Sequence, residues 1–158
     1  RSPWISLPGA GLTETKLRTA GCVDRDADGY GELSDPSCLA LVPDCNDGDP
    51  GAWGTPGPAA GLVFTGKSTL SWSAPTDPGA HLASLVYDTL RSGAASNFLL
   101  ADCIETADGA DTTAEDAAKP STGRASFYLV RARNSCPSGI GSLGTSSAGV
   151  ERAGAACP

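Results

Sequence analysis

Short runs of alternating apolar and polar residues fill the chain from residue 60 onward, and turn-forming residues separate them. Alternation with a period of two is typical of a β-strand that buries one face. The clearest run is Ser126 to Arg133, with the sequence SFYLVRAR. Gly66-Lys67 predicts a tight turn between the first two runs. The other predicted strands are Leu62 to Phe64, Thr69 to Ser73, Leu85 to Leu90, Phe98 to Ile104, Thr112 to Asp116 and Gly149 to Ala153.

Seven short strands at this spacing predict an all-β fold built as a two-sheet sandwich. Composition divides the chain into four regions. Residues 1–21 form an N-terminal arm, residues 22–50 are acidic and rich in turn formers, residues 51–59 (GAWGTPGPA) predict a stiff Pro/Gly linker, and residues 60–158 are the β domain.

The net charge of the chain restricts the classes of partner that it can bind. Its net charge is −7, whereas binding to nucleic acid requires a basic stripe, so we expect no nucleic-acid partner.

No apolar run approaches the roughly 18 residues that span a bilayer. The chain begins with Arg1 and contains no Met, so we expect a mature or trimmed form from which any signal peptide has been removed.

Six cysteines without a CxxC pair predict disulfides and an oxidising, extracellular or cell-surface location. Thiolate zinc binding is the weaker alternative, because the cysteines are widely spread and the lone His81 lies in a Pro-Gly turn. We expect Cys22 to pair with Cys38, since the two bracket the first acidic turn. If the strand order is correct, Cys103 pairs with Cys157, which leaves Cys45 with Cys136.

The acidic segment carries the clearest chemical signal. Asp24, Asp26 and Asp28 alternate and are followed by Gly29, which matches the opening of an EF-hand-type loop. Calcium takes 6–8 oxygen ligands as a general rule, and the carbonyl of Tyr30 would supply the next one. The twelfth position is Asp35 followed by Pro36 rather than Glu, so the remaining ligands are expected from a second acidic turn that contains Asp44, Asp47 and Asp49.

The two turns would fold onto one ion or onto two adjacent ions. The alternative is a solvated acidic loop, which is disfavoured because clustered carboxylates repel one another without a cation.

The sequence DRDADGYG followed by PDCNDGDP resembles the metal-binding motif of secreted bacterial proteins, a relative of thrombospondin type 3 calcium repeats. The resemblance covers about 30 residues and implies that the ligands are Asp24, Asp26, Asp28, Asp44 and Asp47. Ala27 stands where glycine is common in that family. A single copy of the motif is present, whereas repeated copies are usual.

The β domain is similar to fibronectin type III domains. TLSWSAP at Thr69 to Pro75 resembles their second strand, and YLVRARN at Tyr128 to Asn134 resembles the strand that carries their tyrosine corner. The resemblance implies a seven-stranded fibronectin type III-like sandwich, with Trp72 and Tyr128 in its core. It also implies an adhesive or spacer role without catalytic residues.

Two enzyme-like patterns lack the context that they require. Gly61 to Ser68 fits the P-loop pattern GxxxxGK[ST], but another predicted strand follows it instead of a helix. A hydrolase triad is disfavoured because the only histidine is His81 and no G-x-S-x-G elbow is present.

These patterns together predict a non-enzymatic, calcium-stabilised extracellular structural or adhesive protein. The alternative is the non-catalytic C-terminal module of a larger secreted hydrolase.

The N-terminal arm contains a small apolar group. Trp4, Ile5 and Leu7 lie between Pro3 and Pro8. This apolar segment would add as a strand to the sheet edge of a neighbouring copy and so build a homopolymer. The alternative is that it folds back onto its own chain.

Overall fold

The computed structural model describes residues 23–32, 43–107 and 109–158. This part of the chain contains β-strands and one short 3-10 helix, Leu82–Ser84, but no α-helix. The strands are β1 (Gly31–Glu32), β2 (Pro43–Asp44), β3 (Ala60–Phe64), β4 (Thr69–Ser73), β5 (Val86–Ser92), β6 (Asp102–Thr106), β7 (Thr113–Glu115) and β8 (Phe127–Arg133).

Six of these strands form two antiparallel sheets, with the orders β3-β4-β7 and β6-β5-β8. Their inner faces share one core, in which the rings of Trp72 and Tyr87 lie 5.4 Å apart. Leu70 and Ala132 are fully buried on opposite sides of this core. The predicted all-β fold with two sheets is therefore confirmed, as is the core position of Trp72.

Tyr128 is half-buried at one end of the same core. Its hydroxyl donates to Oδ2 of Asp116 at 2.9 Å, and Arg91 Nη1 donates to both carboxylate oxygens of Asp116 at 3.0 and 2.9 Å. The hydroxyl thus bonds a carboxylate side chain, whereas the tyrosine corner of the resembled family bonds backbone. This contact links the segment after β7 to the facing strands β5 and β8.

The seventh predicted strand, Gly149 to Ala153, does not form. This stretch makes an isolated bridge between Thr145 and Glu151, and Gly149 has a φ of 73°, which interrupts extended backbone. Val150 is 64% exposed, so the alternation did not mark a buried face. Among the described residues, the two sheets accordingly contain six strands, one fewer than predicted.

The C-terminal segment, residues 143–158, instead covers the outer face of the β6-β5-β8 sheet. Leu143 and Cys157 pack there against Leu90 and Phe98 in a second apolar cluster. Phe98 belongs to this cluster and precedes a turn, which explains why β6 begins at Asp102 and not at Phe98 as predicted.

An ionic cluster lies on the same outer face. Asp88 is fully buried, and its Oδ2 accepts from Nε and Nη2 of Arg131 at 3.1 and 2.8 Å. Its Oδ1 accepts from Arg133 Nη1 at 3.1 Å and from Thr106 Oγ1 at 2.9 Å. Arg131 Nη2 also donates to the carbonyl of Ala155 at 3.0 Å, so the cluster ties the C-terminal segment to the sheet.

Two predicted disulfides are present in the described residues. Cys103 bonds Cys157 with a Cα–Cα distance of 5.8 Å, which fastens the C-terminal segment to β6. Cys45 bonds Cys136 with a Cα–Cα distance of 5.4 Å, which joins the acidic segment to the sandwich. The predicted Cys22–Cys38 bond and the N-terminal arm lie outside the described residues.

Residues 51–59 pack against the sandwich. Ala52 is fully buried and forms a bridge with Ala80, and the amides of Trp53 and Gly54 both donate to the carbonyl of Gly79, at 2.9 and 2.8 Å. These contacts make the predicted linker part of the packed domain rather than a spacer.

Candidate metal centre

The two acidic turns are joined by a short parallel strand pair and by a hydrogen bond between them. The pairing aligns Gly31 of β1 with Pro43 of β2, and Glu32 with Asp44. The amide of Arg25 in the first turn donates to Oδ1 of Asp47 in the second at 3.1 Å, so the two turns are in contact.

The first turn gathers three carboxylates. One carboxylate oxygen from each of Asp24, Asp26 and Asp28 lies within 4.8 Å of the others. The amide of Asp28 donates to Oδ1 of Asp26 at 3.2 Å, and the amide of Tyr30 donates to Oδ1 of Asp28 at 2.7 Å. These Asx-type bonds close the turn and hold the side chains on one side of it.

The second turn repeats this local chemistry. The amide of Asn46 donates to Oδ1 of Asp44 at 2.8 Å, and Asp44 is only 5% exposed. Asp47 reaches across to the first turn, where its Oδ1 accepts from the amide of Arg25 at 3.1 Å. The side chains of Arg25 and Asp47 also form an ion pair, with Nε and Oδ2 3.6 Å apart.

The second oxygen of several of these carboxylates has no donor in the part of the chain that the structure describes. Oδ2 of Asp26, Asp28 and Asp44 is buried and accepts no hydrogen bond from any residue that the structure describes. A buried carboxylate oxygen without a donor is unfavourable by several kcal/mol or shifts the group towards its neutral form. A cation bound by these oxygens would supply the missing partner, and hard oxygen donors of this kind suit calcium.

The electrostatics of the two turns are coupled. Burial raises the pKa of Asp28 above its ordinary value, and the charges of Asp26, Asp44 and Asp24 raise it further, against the hydrogen bond from Tyr30. Burial likewise raises the pKa of Asp44, with added contributions from Asp26, Asp47 and Asp24, against the hydrogen bond from Asn46. The carboxylates of the two turns therefore raise one another's pKa, and a cation bound to them would lower the pKa of each.

Asp49 and the side chain of Tyr30 are engaged elsewhere. Oδ1 of Asp49 accepts from the amide of Gly51 at 2.9 Å, and Oδ2 accepts from the hydroxyl of Ser135, which lowers the pKa of Asp49. The ring of Tyr30 stacks on Trp53, with centroids 5.2 Å apart and planes 3° apart. The spacing of the aspartates predicts neither the contact with Ser135 nor the contact with Trp53. The position of Trp53 just after the second acidic turn could have indicated an aromatic contact.

The enzyme-like patterns are part of the scaffold. Gly61 to Ser68 spans the end of β3 and the turn into β4, which is a β-hairpin and not a strand-to-helix phosphate loop. His81 is exposed and precedes the 3-10 helix. Its ring is nearly perpendicular to that of Trp53, with the centroids 5.3 Å apart.

No protein-family model matches the chain, and no curated protein matches it significantly. Within the described ranges, no helix is both long and apolar enough to cross a bilayer.

Proposed function

We propose that this protein is a calcium-stabilised extracellular structural or adhesive module, with a fibronectin type III-like sandwich as its rigid body. The main support for the calcium site is the environment of the Asp44 carboxylate. Asp44 is 5% exposed, and its Oδ2 accepts no hydrogen bond within the described residues. Asp24, Asp26, Asp28, Asp44 and Asp47 would hold the ion, while Asp49 would fasten the second turn to the sandwich.

The sandwich supports the fibronectin type III-like part of the proposal. Its first, second and fifth strands form one sheet, and its fourth, third and sixth strands form the other. The disulfides Cys45–Cys136 and Cys103–Cys157 support an oxidising, extracellular location. Bound calcium would stabilise the acidic segment, whose sequence offers few apolar residues to form a core.

Calorimetry tests the proposal directly. We expect titration of the calcium-free chain with CaCl2 to show binding, and thermal unfolding to shift upward in excess calcium relative to EDTA. Asp44→Asn should weaken binding at least about tenfold, since one charged ligand is lost. Asp77→Asn removes the same charge from an exposed position on the sandwich and is the matched control.

If the parent chain shows no calcium binding and an unchanged unfolding profile, the acidic segment is a solvated loop. Equal losses in Asp44→Asn and Asp77→Asn would indicate a general charge effect instead of a site.

Self-association through the N-terminal arm stays a prediction, because the arm lies outside the described residues. Deleting residues 1–8 tests it. We expect light scattering to show assemblies for the intact chain and a loss of assembly after the deletion. Identical assemblies in both proteins, or an intact chain that is monomeric at every calcium concentration, would contradict the idea.

A further inference from the structure

The first acidic turn reaches the sandwich through one aromatic residue at its end. The ring of Tyr30 lies nearly parallel to that of Trp53, with centroids 5.2 Å apart. Tyr30 is also part of the turn itself, since its amide donates to Oδ1 of Asp28 at 2.7 Å. This hydrogen bond connects the Asp28 carboxylate to the backbone of the residue whose ring stacks on Trp53.

Trp53 is fixed to the sandwich. Its amide donates to the carbonyl of Gly79 at 2.9 Å, and its carbonyl accepts from the amide of Cys45 at 3.3 Å. Its ring packs edge-on against His81 at 5.3 Å. Trp53 thus provides a fixed surface against which Tyr30 docks.

The approach of the first turn to this surface depends on charge. One carboxylate oxygen from each of Asp24, Asp26 and Asp28 on the first turn lies within 4.8 Å of the others. Asp47 on the second turn reaches the amide of Arg25, so the carboxylates of the two turns are close enough to repel one another when ionised. The ion pair between Arg25 and Asp47 opposes this repulsion only weakly, because the Arg25 side chain is 69% exposed. The second turn stays attached to the sandwich in any case through the Cys45–Cys136 disulfide.

We propose that calcium occupancy controls the docking of residues 23–32 onto the sandwich, with the Tyr30–Trp53 stack as the contact that makes and breaks. This inference rests on the proposed calcium site and adds its regulatory consequence. With the ion bound, the carboxylates of the two turns are drawn together and Tyr30 stacks on Trp53. Without the ion, repulsion separates the turns and the stack opens, while the sandwich keeps its fold.

Tryptophan fluorescence of the full chain reports on this step. We expect CaCl2 to change the emission, with a midpoint that matches the calorimetric titration of the same sample. Trp53→Phe should abolish the change, whereas Trp72→Phe should retain it, because Trp72 lies in the sandwich core. Tyr30→Leu should abolish the change while calcium still binds, with affinity reduced about two- to tenfold.

A double variant distinguishes the stack from two separate effects. Because Tyr30 and Trp53 act through one contact, Tyr30→Leu combined with Trp53→Leu should lower calcium affinity by the same factor as either single change. Multiplied losses would overturn the inference, as would a calcium-dependent signal that persists in Tyr30→Leu. Calcium binding by calorimetry with no change in Trp53 emission would overturn the docking step alone, whereas an absence of binding would overturn the proposed site as well.

Discussion

Left-handed backbone shapes the first acidic turn at the scale of single residues. Gly29 has a φ of 98° and Ala27 a φ of 64°. Left-handed backbone costs an L-residue roughly 1–2 kcal/mol, and glycine avoids this cost. We expect Gly29→Ala to weaken calcium binding about tenfold, as measured by calorimetric titration, because the strained turn no longer presents its carboxylates together.

Ala27→Gly is the matched control for that change. It removes the left-handed strain but increases the entropy of the unfolded chain, an effect of about 0.4–1 kcal/mol. We therefore expect its calcium affinity to stay within about threefold of the parent. Equal weakening in Gly29→Ala and Ala27→Gly would show that the backbone conformation of the turn does not control the site.

Asp88 supports a different prediction, about stability. Asp88→Asn removes the charge that balances Arg131, whose side chain is only 6% exposed, and leaves a buried cation without its counter-ion. The expected loss is about 3–5 kcal/mol in the free energy of unfolding, measured with urea. Asp102→Asn is the control, because the Asp102 side chain is 68% exposed in its pair with Arg91, and it should cost less than about 1 kcal/mol. Similar losses from both variants would refute the structural importance of the buried pair.

Asp116 connects three elements and gives the sandwich a pH dependence. Burial alone would raise the pKa of Asp116, but hydrogen bonds from Ala118, Tyr128 and Arg91, together with the Arg91 charge, hold this pKa below its ordinary value. A lowered folded-state pKa stabilises the fold above the unfolded-state pKa, which is about 3.9. That stabilisation is lost as the pH falls through the folded-state pKa of Asp116.

Tyr128→Phe tests this connection. At pH 7 it should lower the free energy of unfolding by about 1.5 kcal/mol or more, because a hydrogen bond to an ionised group is removed. The difference from the parent should shrink at pH values below the folded-state pKa of Asp116, where that carboxyl is protonated in both proteins. Urea midpoints at several pH values measure both effects.

Tyr87→Phe is the matched control for Tyr128→Phe. Burial is the cause of the raised pKa of the Tyr87 hydroxyl, so the effect of removing it should not depend on pH in the acid range. A Tyr128→Phe effect that stays constant down to low pH would contradict the role of Asp116.

The strands were predictable where one face of the strand is buried. In β4, Leu70 and Trp72 are buried between less buried neighbours, so the alternation in the sequence reflects the packing. The same rule failed at Gly149 to Ala153, because alternation does not reveal whether a backbone partner exists. It also missed that β5 is buried on both faces, with Asp88 and Leu90 covered by the C-terminal segment.

At the scale of the whole molecule, the candidate site was predictable only as far as its chemistry is local. Asp24, Asp26 and Asp28 lie together in one short turn. Hydrogen bonds that span two residues close this turn, so the spacing of the aspartates was enough to predict the cluster. The role of Asp49 depends on Ser135, which lies 86 residues further along the chain. No local pattern could have predicted that contact, because it requires the sandwich to be folded first.

The sandwich and the first acidic turn differ in what holds them together, and hydrogen exchange should separate them. Strands β5 and β8 form a continuous backbone ladder between two apolar clusters, whereas the turn before β1 depends on carboxylates that repel without an ion. We expect calcium to slow exchange of the amides of residues 24–31 by about tenfold or more relative to EDTA, because the bound ion suppresses local opening. The amides of β5 and β8 should stay protected in EDTA, when residues 24–31 have lost protection, since local opening of the turn leaves their ladder intact. Loss of protection in β5 and β8 together with the turn in EDTA would mean that the ion stabilises the domain as one cooperative unit, and would contradict a locally controlled turn.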